Sequence, residues 1–65
     1  MNRFGIIRLR ARYDETQEQF AERMGVSRST IINWEKGHKE PTRLAREKLQ
    51  MLEDKLNRGL NEEQR

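Results

Sequence analysis

The chain has 65 residues, 32% apolar and 38% charged, with a net charge of +3, one histidine and no cysteine. So few apolar groups can build one small core and leave none for the walls of a deep, desolvated pocket, which excludes two domains and argues against an enzyme. The missing thiols exclude zinc quartets and disulfide staples, and the apolar runs are too short for a signal sequence or a membrane span, so a cytoplasmic protein with no metal and no cofactor is expected.

Apolar residues recur at three and four rather than at two, so four helices and an all-α fold are predicted. The first helix runs from about Arg3 to Tyr13, with Asn2 as its cap. Ile6, Leu9, Arg10 and Tyr13 share one of its faces, and Arg8 and Arg12 lie opposite. Arg10 therefore sits in the apolar stripe, where a guanidinium needs a partner. The second helix opens on Thr16-Gln17-Glu18-Gln19, a capping box, and buries Phe20, Ala21 and Met24. Gly25 ends it at positive φ, and Ser27 caps a third helix from Arg28 to Lys36 that Gly37 closes. A helix, a three-residue turn containing glycine and a second short helix make a helix-turn-helix unit.

Pro41 and Thr42 end the following loop and start the fourth helix, whose core face is predicted to be Leu44, Ala45, Leu49, Leu52 and Leu56. That helix is expected to fray near Asn57 to Gly59, which leaves residues 1–58 as the domain and 59–65 as a tail or short extra turn. Charge is segregated along the chain. Residues 1–13 carry four arginines and no acid, residues 14–24 four acids against Arg23, and residues 25–43 four bases against two acids. Folding such a chain separates basic from acidic surface, an arrangement suited to a polyanionic partner.

On a helical wheel the third helix divides into Thr30, Ile31, Trp34 and Glu35 on one side and Arg28, Ser29, Ile32, Asn33 and Lys36 on the other. Trp34 and Ile31 belong to the core. The opposite face offers Arg28, whose fork matches guanine O6 and N7, and Asn33, which matches adenine N6 and N7. Ser29 adds a short donor and acceptor, and Ile32 an exposed group able to meet a thymine methyl. Arg10 and Glu35 both turn inward and are expected to form a partly buried ion pair linking the first and third helices.

With Gln17, Ala21, Gly25, Val26, Ser27, Ile31, Trp34-Glu35, Gly37 and Pro41 in this order, the chain resembles the Cro/C1-type, or XRE-type, helix-turn-helix domains of phage repressors over about residues 6–56. The resemblance implies a compact bundle of four to five helices that binds operator DNA as a homodimer on a pseudo-palindrome. By position it implies base reading by Arg28, Ser29 and Asn33, joined by Ile32, and a phosphate contact from Gln17. It also implies an ion pair between Arg10 and Glu35, and backbone contacts from a loop holding His38 and Lys39. Ser27, Thr30 and Lys36 complete the expected phosphate contacts. Asp14 and Glu15 depart from the pattern, which commonly has glycine and an apolar residue there, so an altered turn and acid near the DNA edge are expected.

These expectations describe a repressor or autorepressor acting by occupancy, with two copies on half-sites roughly 34 Å apart. Leu44, Met51 and Leu60 could supply a small apolar contact between the copies. The stretch from Phe20 through Pro41 to Leu52 also resembles small antitoxins and autorepressors of mobile-element operons, so a toxin protein is the alternative partner. A membrane-surface role for the first helix is not expected, because Ile6, Leu9 and Tyr13 are needed for the core.

Overall fold

The computed structural model describes residues 1–63, with side chains up to residue 59. Four helices follow one another: α1 (Arg3–Arg12), α2 (Gln17–Met24), α3 (Arg28–Lys36) and α4 (Arg43–Glu63). Their boundaries follow from local chemistry. Asn2 Oδ1 accepts from the Gly5 amide at 2.9 Å to start α1. At α2 the Thr16 hydroxyl accepts from Gln19 N at 3.1 Å, while Gln19 Oε1 accepts from Thr16 N at 2.9 Å. Gly25 and Gly37 end α2 and α3 at φ 72° and 78°, where a side chain would be strained. Thr42 Oγ1 accepts from Ala45 N at 3.2 Å and opens α4.

The core is a single cluster of Ile6, Leu9, Phe20, Ala21, Met24, Ile31, Trp34 and Leu49, closed at its edges by Tyr13, Val26, Ala45, Leu52 and Leu56. Each of the larger side chains contributes roughly 1.5–3 kcal/mol by leaving water, and together they hold the four helices without a staple. Tyr13 extends the core toward α4 by donating its hydroxyl proton to the Leu52 carbonyl at 2.8 Å. Arg12 Nη2 donates to Asn57 Oδ1 at 3.0 Å and ties the end of α1 to the same helix.

Three expectations are corrected. Leu44, placed on the core face of α4, is 77% exposed, because α4 is rotated so that Leu49 fills the centre and Ala45, Leu52 and Leu56 flank it. The helix passes through Asn57–Gly59 without a break and reaches Glu63, so residues 59–63 continue α4, while 64–65 lie outside the described residues. The side chain of Leu60 lies outside them too. Ile32 is half-buried, and the large apolar side chains exposed among the described residues are instead Met1, Phe4, Ile7, Leu44 and Met51. Helix α1 is apolar on two faces, with Ile6 and Leu9 buried and Phe4 and Ile7 facing out. Arg3 lies over the Phe4 ring, its guanidinium carbon 4.8 Å from the ring centroid.

The turn between α1 and α2 does carry an unusual backbone. Asp14 has φ 54°, the left-handed region that glycine occupies at least cost and aspartate tolerates better than most residues. Asp14→Gly should therefore leave the fold intact and raise stability by up to about 1 kcal/mol in chemical denaturation, since relief of the left-handed strain outweighs the added freedom of the unfolded chain.

Candidate nucleic-acid interface

Helix α3 is seated by Ile31 and Trp34, which are 0% and 5% exposed, and this fixes which of its residues face away from the core. Arg28 and Ser29 stand exposed on its first turn, and Ile32 and Asn33 are half-buried one turn further on. Among the described residues the side chains of Arg28, Ser29 and Asn33 have no hydrogen-bond or ion-pair partner, so their donors and acceptors are unspent. The Ser27 hydroxyl is occupied as the cap: it accepts from Thr30 N at 3.2 Å and lies 2.9 Å from the Thr30 hydroxyl. Ser27 and Thr30 thus present a joined pair of hydroxyls at the start of α3, where the helix dipole favours an anion.

At the other end of α3, about 12 Å along the axis from Arg28, Lys36 leads into an exposed loop with His38 and Lys39. The amides of His38 and Lys39 both donate to the Asn33 carbonyl, at 3.0 and 3.3 Å, which folds the loop back over the helix end. Arg3 joins this region by donating Nη1 to the Lys36 carbonyl at 3.2 Å. Its contribution was not legible in the sequence, where Arg3 is only the first residue of a helix.

One carboxylate adds polar ties to the apolar seating of α3. Glu35 Oε2 accepts from Arg10 Nε at 2.7 Å, and Oε1 accepts from Arg10 Nη2 and from Gln17 Nε2, both at 3.1 Å. The Glu35 side chain is 7% exposed and that of Arg10 24% exposed, so the pair is shielded and bidentate. Arg10 Nη1 also donates to the Glu15 carbonyl at 3.0 Å. A single site therefore gathers α1, the α1–α2 turn, the first residue of α2 and the inner edge of α3. Gln17 was expected only as a phosphate contact. Its bond to Glu35 spends one amide hydrogen and leaves the other, and the amide oxygen, for a second partner.

One of the two acids at the departure from the family pattern, Glu15, is accounted for by a bridge that sequence spacing does not signal. Glu15 accepts from Arg23 Nε and Nη2 at 2.7 and 3.1 Å, and Arg23 lies 4.2 Å from the centroid of Tyr13. The hydrogen bond that Arg23 donates to Glu15 raises the Arg23 pKa above its ordinary value. The Glu15 charge is thereby offset within the α1–α2 edge, leaving Asp14 as the exposed acid of the turn.

None of the described helices is long and apolar enough to cross a membrane. A helix-turn-helix family profile matches residues 6–62. No curated protein and no solved structure matches. The profile spans α2, the glycine turn and α3 together with the two helices that brace them, and the chain belongs to the Cro/C1-type helix-turn-helix family of DNA-binding transcription regulators.

Proposed function

We propose that the chain is a repressor acting by occupancy in the cytoplasm, with residues 1–58 as the DNA-binding unit and two copies on a pseudo-palindromic operator. The observation that carries this reading is a rigidly seated helix with unspent recognition groups. Arg28 and Asn33 have free hydrogen-bonding atoms on the outward side of α3, while Glu35 on its inner edge is fixed to α1 and α2. Helix α3 enters the major groove, Arg28, Ser29 and Asn33 read base edges, and Ile32 meets an adjoining methyl. Gln17, Ser27 and Thr30 hold the backbone at one end of α3, and Lys36, His38 and Lys39 hold it at the other. Selection of bound sequences from random duplexes tests the reading as a whole. Two inverted half-sites with centres roughly 34 Å apart are expected, and recovery of unrelated sequences would count against it.

The phosphate assignments are separable by salt. Lys39→Ala should weaken binding to all duplexes alike and lower the salt slope by about one unit, because one fewer counterion is released. Gln17→Ala should weaken binding with the slope unchanged, since a neutral amide releases none.

A second reading, an antitoxin that also represses its own promoter, is favoured by one feature. The outer face of α1 exposes Met1, Phe4 and Ile7 beside Arg3, Arg8 and Arg12, a surface that complements an acidic apolar groove on a protein. Co-purification of an acidic protein with the native chain, lost on Phe4→Ser, would support that reading.

A further inference from the structure

The outer face of α4 is not used by the fold or by the proposed reading surface. Its core side is Ala45, Leu49, Leu52 and Leu56. At 100° per residue Leu44, Met51 and Arg58 form a line on a different face, one heptad between neighbours. Leu44 and Met51 are 77% and 67% exposed, so this line is apolar over its first two members. The charges beside it are sorted by sign. Lys48 and Lys55 lie about 40–60° to one side, and Glu47 and Asp54 about 40–60° to the other. All four are exposed. The acids already have partners four residues earlier, Arg43 at 3.5 Å for Glu47 and Gln50 at 3.1 Å for Asp54, which hold that flank in place without covering it.

This pattern selects an occupant and a direction. Two copies of α4 packed in parallel about a two-fold axis set the basic flank of each against the acidic flank of the other. Lys55 then faces the acid at 54 in the second helix, and Lys48 the acid at 47. An antiparallel pair would set base against base and acid against acid. The exposed apolar face of α1 does not allow the same, because arginines stand on both of its sides, Arg8 and Arg12 on one and Arg3 and Arg10 on the other.

We propose that a second copy of this chain covers the outer face of α4, through parallel pairing of the two α4 helices along Leu44 and Met51. This deepens the two-copy reading above and rests on it, supplying the contact that would join the copies. Two apolar side chains per copy make a small interface, so the pairing is a concentration-dependent equilibrium.

The test uses the full chain in sedimentation equilibrium without DNA. The unmodified chain is expected to pass from monomer to dimer as concentration rises. Lys55→Glu should weaken the dimer about tenfold, and Asp54→Lys combined with Lys55→Glu should restore it, the change expected from one unfavourable charge contact per copy. Because the chain has no cysteine, Leu44→Cys gives a single thiol. Parallel pairing brings the two thiols together, and a disulfide-linked dimer should form on mild oxidation. A chain that stays monomeric throughout, a Lys55→Glu dimer tighter than the original, or a Leu44→Cys chain that does not cross-link overturns the proposal. The helical circular dichroism of each variant checks that these exposed positions leave the fold unchanged. Failure of the DNA reading is separately visible: selection from random duplexes would then recover no motif, whatever the sedimentation result.

Discussion

Glu35→Ala should lower stability by about 3 kcal/mol in chemical denaturation and weaken operator binding as well. The substitution leaves the Arg10 guanidinium beside the core without its bidentate acceptor and frees the Gln17 amide from α3. Full burial of the stranded charge would cost about 3–5 kcal/mol, and the partial exposure of Arg10 puts the expected loss at the low end of that range. A second variant separates stability from orientation. Arg10→Met combined with Glu35→Leu removes both charges and fills the space with apolar groups, so most of the stability should return. Operator affinity should not return with it, because the hydrogen bonds that set the angle of α3 and hold Gln17 against it are gone. If affinity recovered together with stability, the three bonds to Glu35 would be a matter of packing alone.

Arg28→Ala should cost about 1–3 kcal/mol on the operator, roughly ten- to hundredfold in dissociation constant, and relax the preference at one base pair. Arg28 is exposed and bonds to no other described residue, so the thermal midpoint of the variant should match that of the original chain. Any loss of binding can then be assigned to the contact with DNA. Asn33→Ala should behave in the same way at a different base pair, since in the proposed docking its amide reads another edge. Comparing affinities for operators altered at single positions distinguishes these from backbone contacts, whose removal weakens every duplex equally. Unchanged operator affinity for Arg28→Ala would remove Arg28 from the reading set, and unchanged affinity for Asn33→Ala as well would place base reading elsewhere than on these residues of α3.

The parts of this molecule that were legible in its sequence are those set by neighbours in the chain. Thr16 with Gln19, Ser27 before α3, and glycines at 25 and 37 specify their own caps within four residues, and each is found as read. The Arg10 and Glu35 contact could be anticipated because each residue interrupts an apolar stripe, and a buried charge requires a counterpart. What was not legible depends on how whole helices are set against each other. A wheel places Leu44 near the stripe of α4, and only the rotation of that helix, which turns Leu49 into the core, decides that Leu44 faces solvent. Phe4 and Ile7 were hidden by the same limit, since a helix with apolar residues on two faces has no single inner side. The Glu15 bridge to Arg23 and the Gln17 bond to Glu35 join residues eight and eighteen apart, distances at which no periodicity operates. The end of α4 was misplaced because Gly59 looks like a stop, although a helical glycine carries a penalty of only about 1 kcal/mol.

Gly37 has a consequence beyond its positive φ. A Cβ built there would lie 3.2 Å from the Cδ and Nη1 atoms of Arg3, the side chain that donates to the Lys36 carbonyl and covers Phe4. Arg3 thus occupies the space that a side chain at position 37 would fill. The beginning of α1 and the end of α3, more than thirty residues apart in sequence, are clasped at one point. Helix ends ordinarily fray independently, each exchanging its amide hydrogens on its own schedule. Here the two ends share a latch, so the opening that exposes the first turn of α1 to exchange should also loosen the last turn of α3 and the lysine loop beyond it.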